Sequence, residues 1–253
     1  MPSISIITVA KNAENTIGGC IDSIKRQTVA AEHLIIDGLS NDRTVAVISE
    51  FADASRQVIS EPDKGIYDAM NKGLRLARGD IIGILNADDL YYDRYVLERV
   101  KNALSNNDVQ ACYGDLIYVS GDNPDKVRRY WRSGGFSPER MYWGWMPPHP
   151  TFFVRRKVYE AYGLFDLTMG SAADYELMLR FLLKHHIATS YIPHLLVKMR
   201  MGGVSNRSLR NRLRAHAMDG KAWKVNGLAP YPWTLLMKPI RKIPQFFSKP
   251  PGY

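Results

Sequence analysis

Two neighbouring carboxylates, Asp88 and Asp89, follow the apolar run Ile81-Ile82-Gly83-Ile84-Leu85 with only Asn86 and Ala87 between. A run of this kind, flanked by Gly79 and Asn86, reads as a buried strand. The acids then fall where the chain leaves its sheet and side chains converge on a ligand. Adjacent carboxylates repel unless a cation or hydrogen-bond donors compensate, which suits a hard divalent ion bridging to phosphate oxygens. Capping of a following helix is the other reading of the same pair. A third acid, Asp174, lies in Gly170-Ser171-Ala172-Ala173-Asp174-Tyr175-Glu176, at a loop-to-helix junction before the periodic Leu177, Leu179 and Leu182. Asp is well suited to cap a helix there.

The elements needed to position these residues are written in the first half as short apolar runs alternating with helical patterns, the signature of parallel strands joined by crossover helices. Strands are predicted at 3–10, 33–37, 57–60 and 81–85, with helices at 16–27, 42–51 and 67–77. Polar residues fall repeatedly at the carboxyl ends of these strands: Lys11-Asn12, Asp37, Glu61 to Lys64, and Asn86 to Asp89. In open α/β sheets ligands bind at that edge. Beyond Cys112 the segments are shorter and mixed, with strands predicted at 116–119, 127–131 and 151–154 and helices at 157–162 and 175–184. A loop rich in aromatics, Gly and Pro spans 134–150. No linker interrupts the first 204 residues, which are expected to form one unit, followed by an extension over 205–253.

The chain has 253 residues, 45% apolar and 23% charged, enough to bury a sizeable core and incompatible with disorder as its default state. Its net charge of +9 is localised: residues 207–253 hold ten Lys or Arg against one acid, Asp219, and the rest is neutral. The body thus has no overall attraction for a polyanion, and nucleic acid is not an expected partner. Cys20 and Cys112 make neither a CxxC pair nor a disulfide framework and read as small core residues in a reducing compartment. Met1-Pro2-Ser3 runs into an alternating apolar stretch with no secretory pattern, so a cytoplasmic location is expected, with peripheral attachment to the inner face of the cytoplasmic membrane left open.

The ordered set Ser5-Ile6-Ile7-Thr8-Val9-Ala10-Lys11-Asn12, Ile36-Asp37-Gly38-Leu39-Ser40-Asn41-Asp42-Arg43-Thr44, Glu61 to Gly73, Asn86 to Asp89 and Ala173-Asp174 resembles the family 2 glycosyltransferases, which have the GT-A fold. That resemblance implies an α/β mixed sheet flanked by helices. It also implies nucleotide-sugar contacts at Thr8, Asn12, Asp37, Asp63, Lys64, Asp68, Asn71, Asn86, Ala87 and Asp88. Asp37 would accept a hydrogen bond from the uracil ring, a role that suits a carboxylate at a strand end, or else start the turn that follows. Asp42 would cap the next helix. Lys64 would neutralise phosphate and Asp68 hold a sugar hydroxyl, unless both are solvated helix surface. The family's Asp-x-Asp motif falls on positions 86 and 88, and Asn86 departs from it. Asn keeps an oxygen but loses the charge, which leaves Asp88 as the metal ligand for Mn²⁺ or Mg²⁺. Asp174 matches the family's general base, the group that an unassisted sugar hydroxyl lacks.

The implied reaction is transfer of a hexose, with inversion, from a UDP-linked donor to a saccharide or polyprenyl-linked saccharide acceptor in cell-surface polysaccharide synthesis. His149, Trp145 and Arg200 are candidates for acceptor or diphosphate contacts, and Trp143 for stacking on a sugar, though the rings equally suit a packed loop. The basic tail, with a helix predicted over 207–223 and the aromatic run Tyr231-Pro232-Trp233, suits an anionic membrane surface. Two other functions are weighed: a sugar-1-phosphate nucleotidyltransferase, for which the glycine-rich phosphate loop is missing, and a nucleic-acid-binding protein acting through the tail.

Overall fold

A computed structural model describes residues 2–51, 56–201, 209–248 and 250. The chain opens with β1 (Ile4–Ala10), α1 (Ile17–Lys25), β2 (Glu32–Asp37), α2 (Thr44–Glu50), β3 (Arg56–Ser60), α3 (Ile66–Leu76) and β4 (Ile81–Ile84). Every residue of β1 and β4 is buried, as a parallel strand covered on both faces requires, whereas β3 is largely exposed at the sheet edge. β1 lies between β2 and β4, and β2 pairs with β3, all parallel. The register sets Ala10 beside Asp37 and Asp37 beside Ser60, so the polar strand ends share one edge. Gly73 lets α3 lie against this sheet, because a Cβ there would stand 2.4 Å from Ile7 Cγ2.

The second half adds β5 (Leu90–Tyr91), α4 (Val96–Ala103), β6 (Ala111–Val119), β7 (Val127–Trp131), α5 (Pro138–Tyr142), β8 (Phe153–Arg155), α6 (Arg156–Tyr162), α7 (Ala173–Leu179) and β9 (Thr189–Arg200). The described residues form a nine-stranded sheet in the order β3-β2-β1-β4-β8-β6-β9-β5, with β7 on β6. β8 runs antiparallel to both β4 and β6, which makes the sheet mixed. One core, with Ile7, Leu34 and Leu74, lies on the α3 and α7 side; a second, with Ile6, Cys20 and Val100, lies under α1 and α4. Both cysteines are buried core residues, and burial pushes their thiols far up.

Three departures from the sequence pattern have local causes. β9 went unrecognised because Pro193 and His194 break its apolar run. Between Tyr113 and Asp115 of β6 the partner advances from Tyr191 to Leu195, so the proline, which has no N–H, sits in a bulge. The helix predicted over 175–184 is split into α7 and a π turn, Arg180–Lys184. The strand predicted over 151–154 begins later, behind a 3₁₀ turn at His149–Thr151.

The C-terminal segment forms α8 (Leu209–Val225) and α9 (Thr234–Ile240), followed by a 3₁₀ turn at Pro244–Phe246. It is docked on the body. Ala222 and Trp223 are fully buried in the same core as α3 and α7. Trp223 Nε1 donates to Tyr175 Oη at 2.9 Å, and Thr234 Oγ1 donates to the Tyr142 carbonyl at 2.6 Å. The boundary expected at 204–205 lies outside the described residues. Among those that are described, no helix is long and apolar enough to cross a membrane. Trp223→Ala is expected to cost about 3–5 kcal/mol in urea unfolding, while Lys224→Ala, on the exposed side of α8, leaves the midpoint unchanged.

Candidate active site

The loops after β1 and β2 are tied to each other. Asn12 takes a positive φ of 52°, its N–H donates to Ser40 Oγ at 2.8 Å, and its Oδ1 accepts from the Asn41 N–H at 3.0 Å. Asp37 is fully buried and accepts from the Ser40 N–H (3.1 Å), Ser40 Oγ (2.5 Å) and Ser60 Oγ (2.6 Å). It therefore holds the turn. Gly38 beside it makes room for the Asp63 carboxylate: a Cβ there would stand 2.1 Å from Asp63 Oδ2 and 3.4 Å from Lys11 Cδ. Asp63 is thus brought against the turn that Asp37 and Asn12 hold. Asp63 Oδ1 accepts from the Gly65 N–H at 2.8 Å, and Asp68 Oδ2 accepts from the Lys64 N–H at 3.0 Å, bonds that fix the start of α3. The Lys64 side chain is left exposed.

Four expected ligand contacts turn inward. Thr8 is fully buried under α1, its hydroxyl 3.0 Å from His33 Nε2. Ala87 packs with Ala10, Ile17 and Ile21. Asn71 is also buried, and both ends of its amide are spent on one residue: Nδ2 donates to the Phe165 carbonyl at 2.9 Å, and Oδ1 accepts from the Phe165 N–H at 3.0 Å. Trp145 is core as well, its Nε1 donating to the Ser133 carbonyl at 2.8 Å and its ring meeting Tyr113 edge-on. These side chains shape the walls from behind.

The acidic cluster forms a turn in which the Asp89 N–H donates to the Asn86 carbonyl at 3.0 Å. β5 follows it directly, so the pair caps no helix. Asn86 Nδ2 donates to Asp89 Oδ2 at 3.2 Å, which leaves Asn86 Oδ1 and Asp89 Oδ1 buried without a partner. Burial pushes the Asp89 carboxyl well above the usual range, the Asp88 charge adds to this, and Asn86 and Arg200 oppose it. Asp88 is raised too, by burial, against its own backbone and Arg200. β5 pairs Leu90 with Lys198 of β9; two residues outward, that antiparallel register sets Asp88 opposite Arg200. Arg200 Nη1 donates to the Gly121 carbonyl at 3.0 Å, and its Nε is buried without a partner. The orphaned oxygens of Asn86 and Asp89, beside the Asp88 charge, fit a hard divalent cation. Among the described residues no three His, Cys, Asp or Glu gather as a complete ligand set. A cation here would hold Asp88 and complete its shell with ligand and water oxygens.

Asp174 is the second residue of α7, behind Ala172 at the cap position, and its Oδ1 accepts from the Tyr175 N–H at 2.8 Å. It is half-buried. Burial and then the Asp174 charge raise the Tyr67 phenol. Burial lowers the His149 imidazole while Asp174 opposes, so the ring is held towards its neutral form. Tyr67 and His149 both rest on Phe165, at 5.3 and 5.6 Å between ring centroids. The Asn71 clamp on Phe165 therefore positions the wall around Asp174. On the other side Tyr118, raised by burial, is opposed by Arg129 and feels the charges of both Asp89 and Asp174. The acidic turn and Asp174 thus act on the same phenol.

Sequence reasoning missed Tyr67, Tyr118, Asp219 and Lys238. Tyr67 lay inside a matched run, and Asp219 was marked by being the sole acid of a basic segment. It pairs with Lys238 at 2.7 Å, and the Lys238 ammonium lies 3.4 Å over the Tyr175 ring, next to Asp174 in the chain. Asn71→Ala is expected to destabilise the fold by about 2 kcal/mol, since it leaves the Phe165 backbone unpaired. A thermal melt checks it, with nucleotide affinity retained.

The glycosyl transferase family 2 model matches residues 5–163. A PGL/p-HBAD biosynthesis glycosyltransferase of Mycobacterium tuberculosis is 31% identical over 211 residues, 81% of this chain and 80% of that protein. The Escherichia coli UDP-Glc:alpha-D-GlcNAc-diphosphoundecaprenol beta-1,3-glucosyltransferase WfgD is 32% identical over 122 residues, 47% of this chain and 48% of its own. Among solved structures, Staphylococcus aureus TarS 1-349 in complex with UDP-GlcNAc matches with a TM-score of 0.66 at 14% identity, covering 85% of this chain and 65% of that one. The mannosyltransferase PcManGT of Pyrobaculum calidifontis, in complex with GDP-Man and Mn²⁺, matches at 0.61 with 18% identity, covering 94% and 73%.

Proposed function

This chain belongs to glycosyl transferase family 2, and from that premise we propose that it transfers a hexose from a UDP-sugar to a lipid-linked saccharide, with inversion, in cell-surface polysaccharide assembly. The observation that supports the proposal is the acidic turn Asn86–Asp89 at the carboxyl edge of the parallel strands, with Asn86 Oδ1 and Asp89 Oδ1 buried without a partner. Family membership favours this over a nucleotidyltransferase. The lipid-linked acceptor rests on the substrate in the WfgD name, and the UDP donor on that name and on the UDP-GlcNAc bound to TarS. Such an acceptor places the enzyme at the cytoplasmic face of a membrane.

In this mechanism Asn12 and Asp63, on the wall that Asp37 holds, take the base and ribose, and Asp88, Asn86 and Arg200 hold the diphosphate end. A divalent cation, Mn²⁺ or Mg²⁺, held by Asp88 would supply positive charge for the departing diphosphate. Asp174 accepts the acceptor hydroxyl proton as that oxygen bonds to the anomeric carbon. The bond to the diphosphate breaks on the opposite face, and its electron pair leaves with UDP. One displacement inverts the centre. Burial lowers the basicity of His149, so its neutral ring takes up that proton less readily than a solvent-exposed imidazole would.

Asp174→Asn should lower kcat for transfer by roughly 10²–10⁴-fold and keep UDP affinity by calorimetry; unimpaired transfer removes Asp174 as the base. Asp88→Ala, or chelation of divalent ions, should abolish UDP-hexose turnover in a screen across UDP-, GDP- and dTDP-sugars. Absence of any nucleotide binding with Mn²⁺ present would sink the reading.

A further inference from the structure

The two sides of α9 and the turn after it differ in chemistry. Outward, Leu236, Ile240, Ile243 and Phe247 are exposed, Phe247 to 83%, and Trp233 continues the patch. A soluble surface gains nothing from such a row of large apolar side chains. Inward, Lys238 is locked to Asp219, which fixes the helix beside Asp174. Arg129 of β7 reaches the same region: its Nε donates to Gln245 Oε1 at 2.7 Å, and its guanidinium carbon lies 4.3 Å from the Tyr118 ring centre and 5.4 Å from that of Phe246. Its Nη2 is buried without a partner.

Lys242 completes the group. Its side chain is exposed, and its carbonyl accepts at 3.2 Å from the N–H of Gln245, the residue that holds Arg129; the ammonium is lowered by burial and then by Lys238 and Arg129, against Asp219 and Asp174. Among the described residues neither Arg129 nor Lys242 belongs to an ion pair. Two cations on this turn, offset only in part by Asp219 and Asp174, repel each other, and a doubly charged anion relieves them.

Resting on the transferase reading, we propose that this segment is the subsite for the acceptor's lipid carrier: Arg129 and Lys242 hold a diphosphate, and the outer face of α9 takes the hydrocarbon chain. Charge complementarity selects the anion, and the continuous apolar row beside it selects a lipid anion over a soluble one. The donor diphosphate has its own cation, Arg200, opposite Asp88. With both in place, the sugar on the carrier is presented to Asp174 between two anion sites.

Binding of farnesyl diphosphate to the full chain, read by tryptophan fluorescence with UDP and Mn²⁺ saturating, tests this. The wild type should bind it, and inorganic pyrophosphate far more weakly. Lys242→Ala and Arg129→Gln should each weaken it by about tenfold or more, with UDP affinity unchanged and Lys242→Arg largely restoring it. Ile243→Ser with Phe247→Ser should bring farnesyl diphosphate down to the level of pyrophosphate. Displacement of farnesyl diphosphate by UDP, or wild-type affinity in every variant, overturns the proposal and leaves the transferase reading intact. A wild type that binds no UDP rejects the transferase reading itself.

Discussion

The parallel register of β1 to β4 is the constraint on which the site depends. Because Ala10 sits beside Asp37 and Asp37 beside Ser60, three chain reversals occur at one height, and the exit of β4 brings Asn86 to the same edge. The strands themselves are apolar and buried, so polar atoms that must meet a ligand have only the carboxyl ends to occupy. The hydrogen bonds from Asn12 to Ser40, and from Ser40 and Ser60 to Asp37, convert that shared height into a rigid wall. A slip of one residue in β2 would turn Asp37 to the other face of the sheet.

The legible part of the fold was the part encoded by short-range pattern. β1, β2, β4 and α3 announce themselves by runs and periodicity over fewer than a dozen residues, and the acids at their ends could be placed from those runs alone. What escaped depends on partners far away in the chain. β9 is a strand because β6 accepts it around the Pro193 bulge and β5 pairs with its far end. Asn71 looks like a helix residue near Asp68, and nothing in its neighbourhood tells that Phe165, ninety-four positions on, will take both ends of its amide. Thr8 and Trp145 are buried for the same reason, since a polar or aromatic side chain turns to the ligand or to the core according to packing that its own segment does not contain.

The electrostatics of the site follow from burial more than from pairing. Asp88 and Asp89 are raised because the turn carries them out of water together, and Arg200 offsets this only in part. Arg129 and Lys242 are depressed by the converse effect, which Asp219 and Asp174 offset only in part at Lys242. Charges offset only in part are completed by what binds beside them.

Trp223 has a bearing on how such a chain can be taken apart. Its indole fills the core between α7 and α8 and satisfies Tyr175, the residue next to Asp174. The sequence divides the chain into a unit over 1–204 and a basic extension over 205–253, and among the described residues Ala222 and Trp223 of that extension lie in the core with α3 and α7. A hybrid that exchanged the last fifth of the chain for a tail of different specificity would have to deliver an indole to the same cavity, or leave α7, and the carboxylate it carries, without its support.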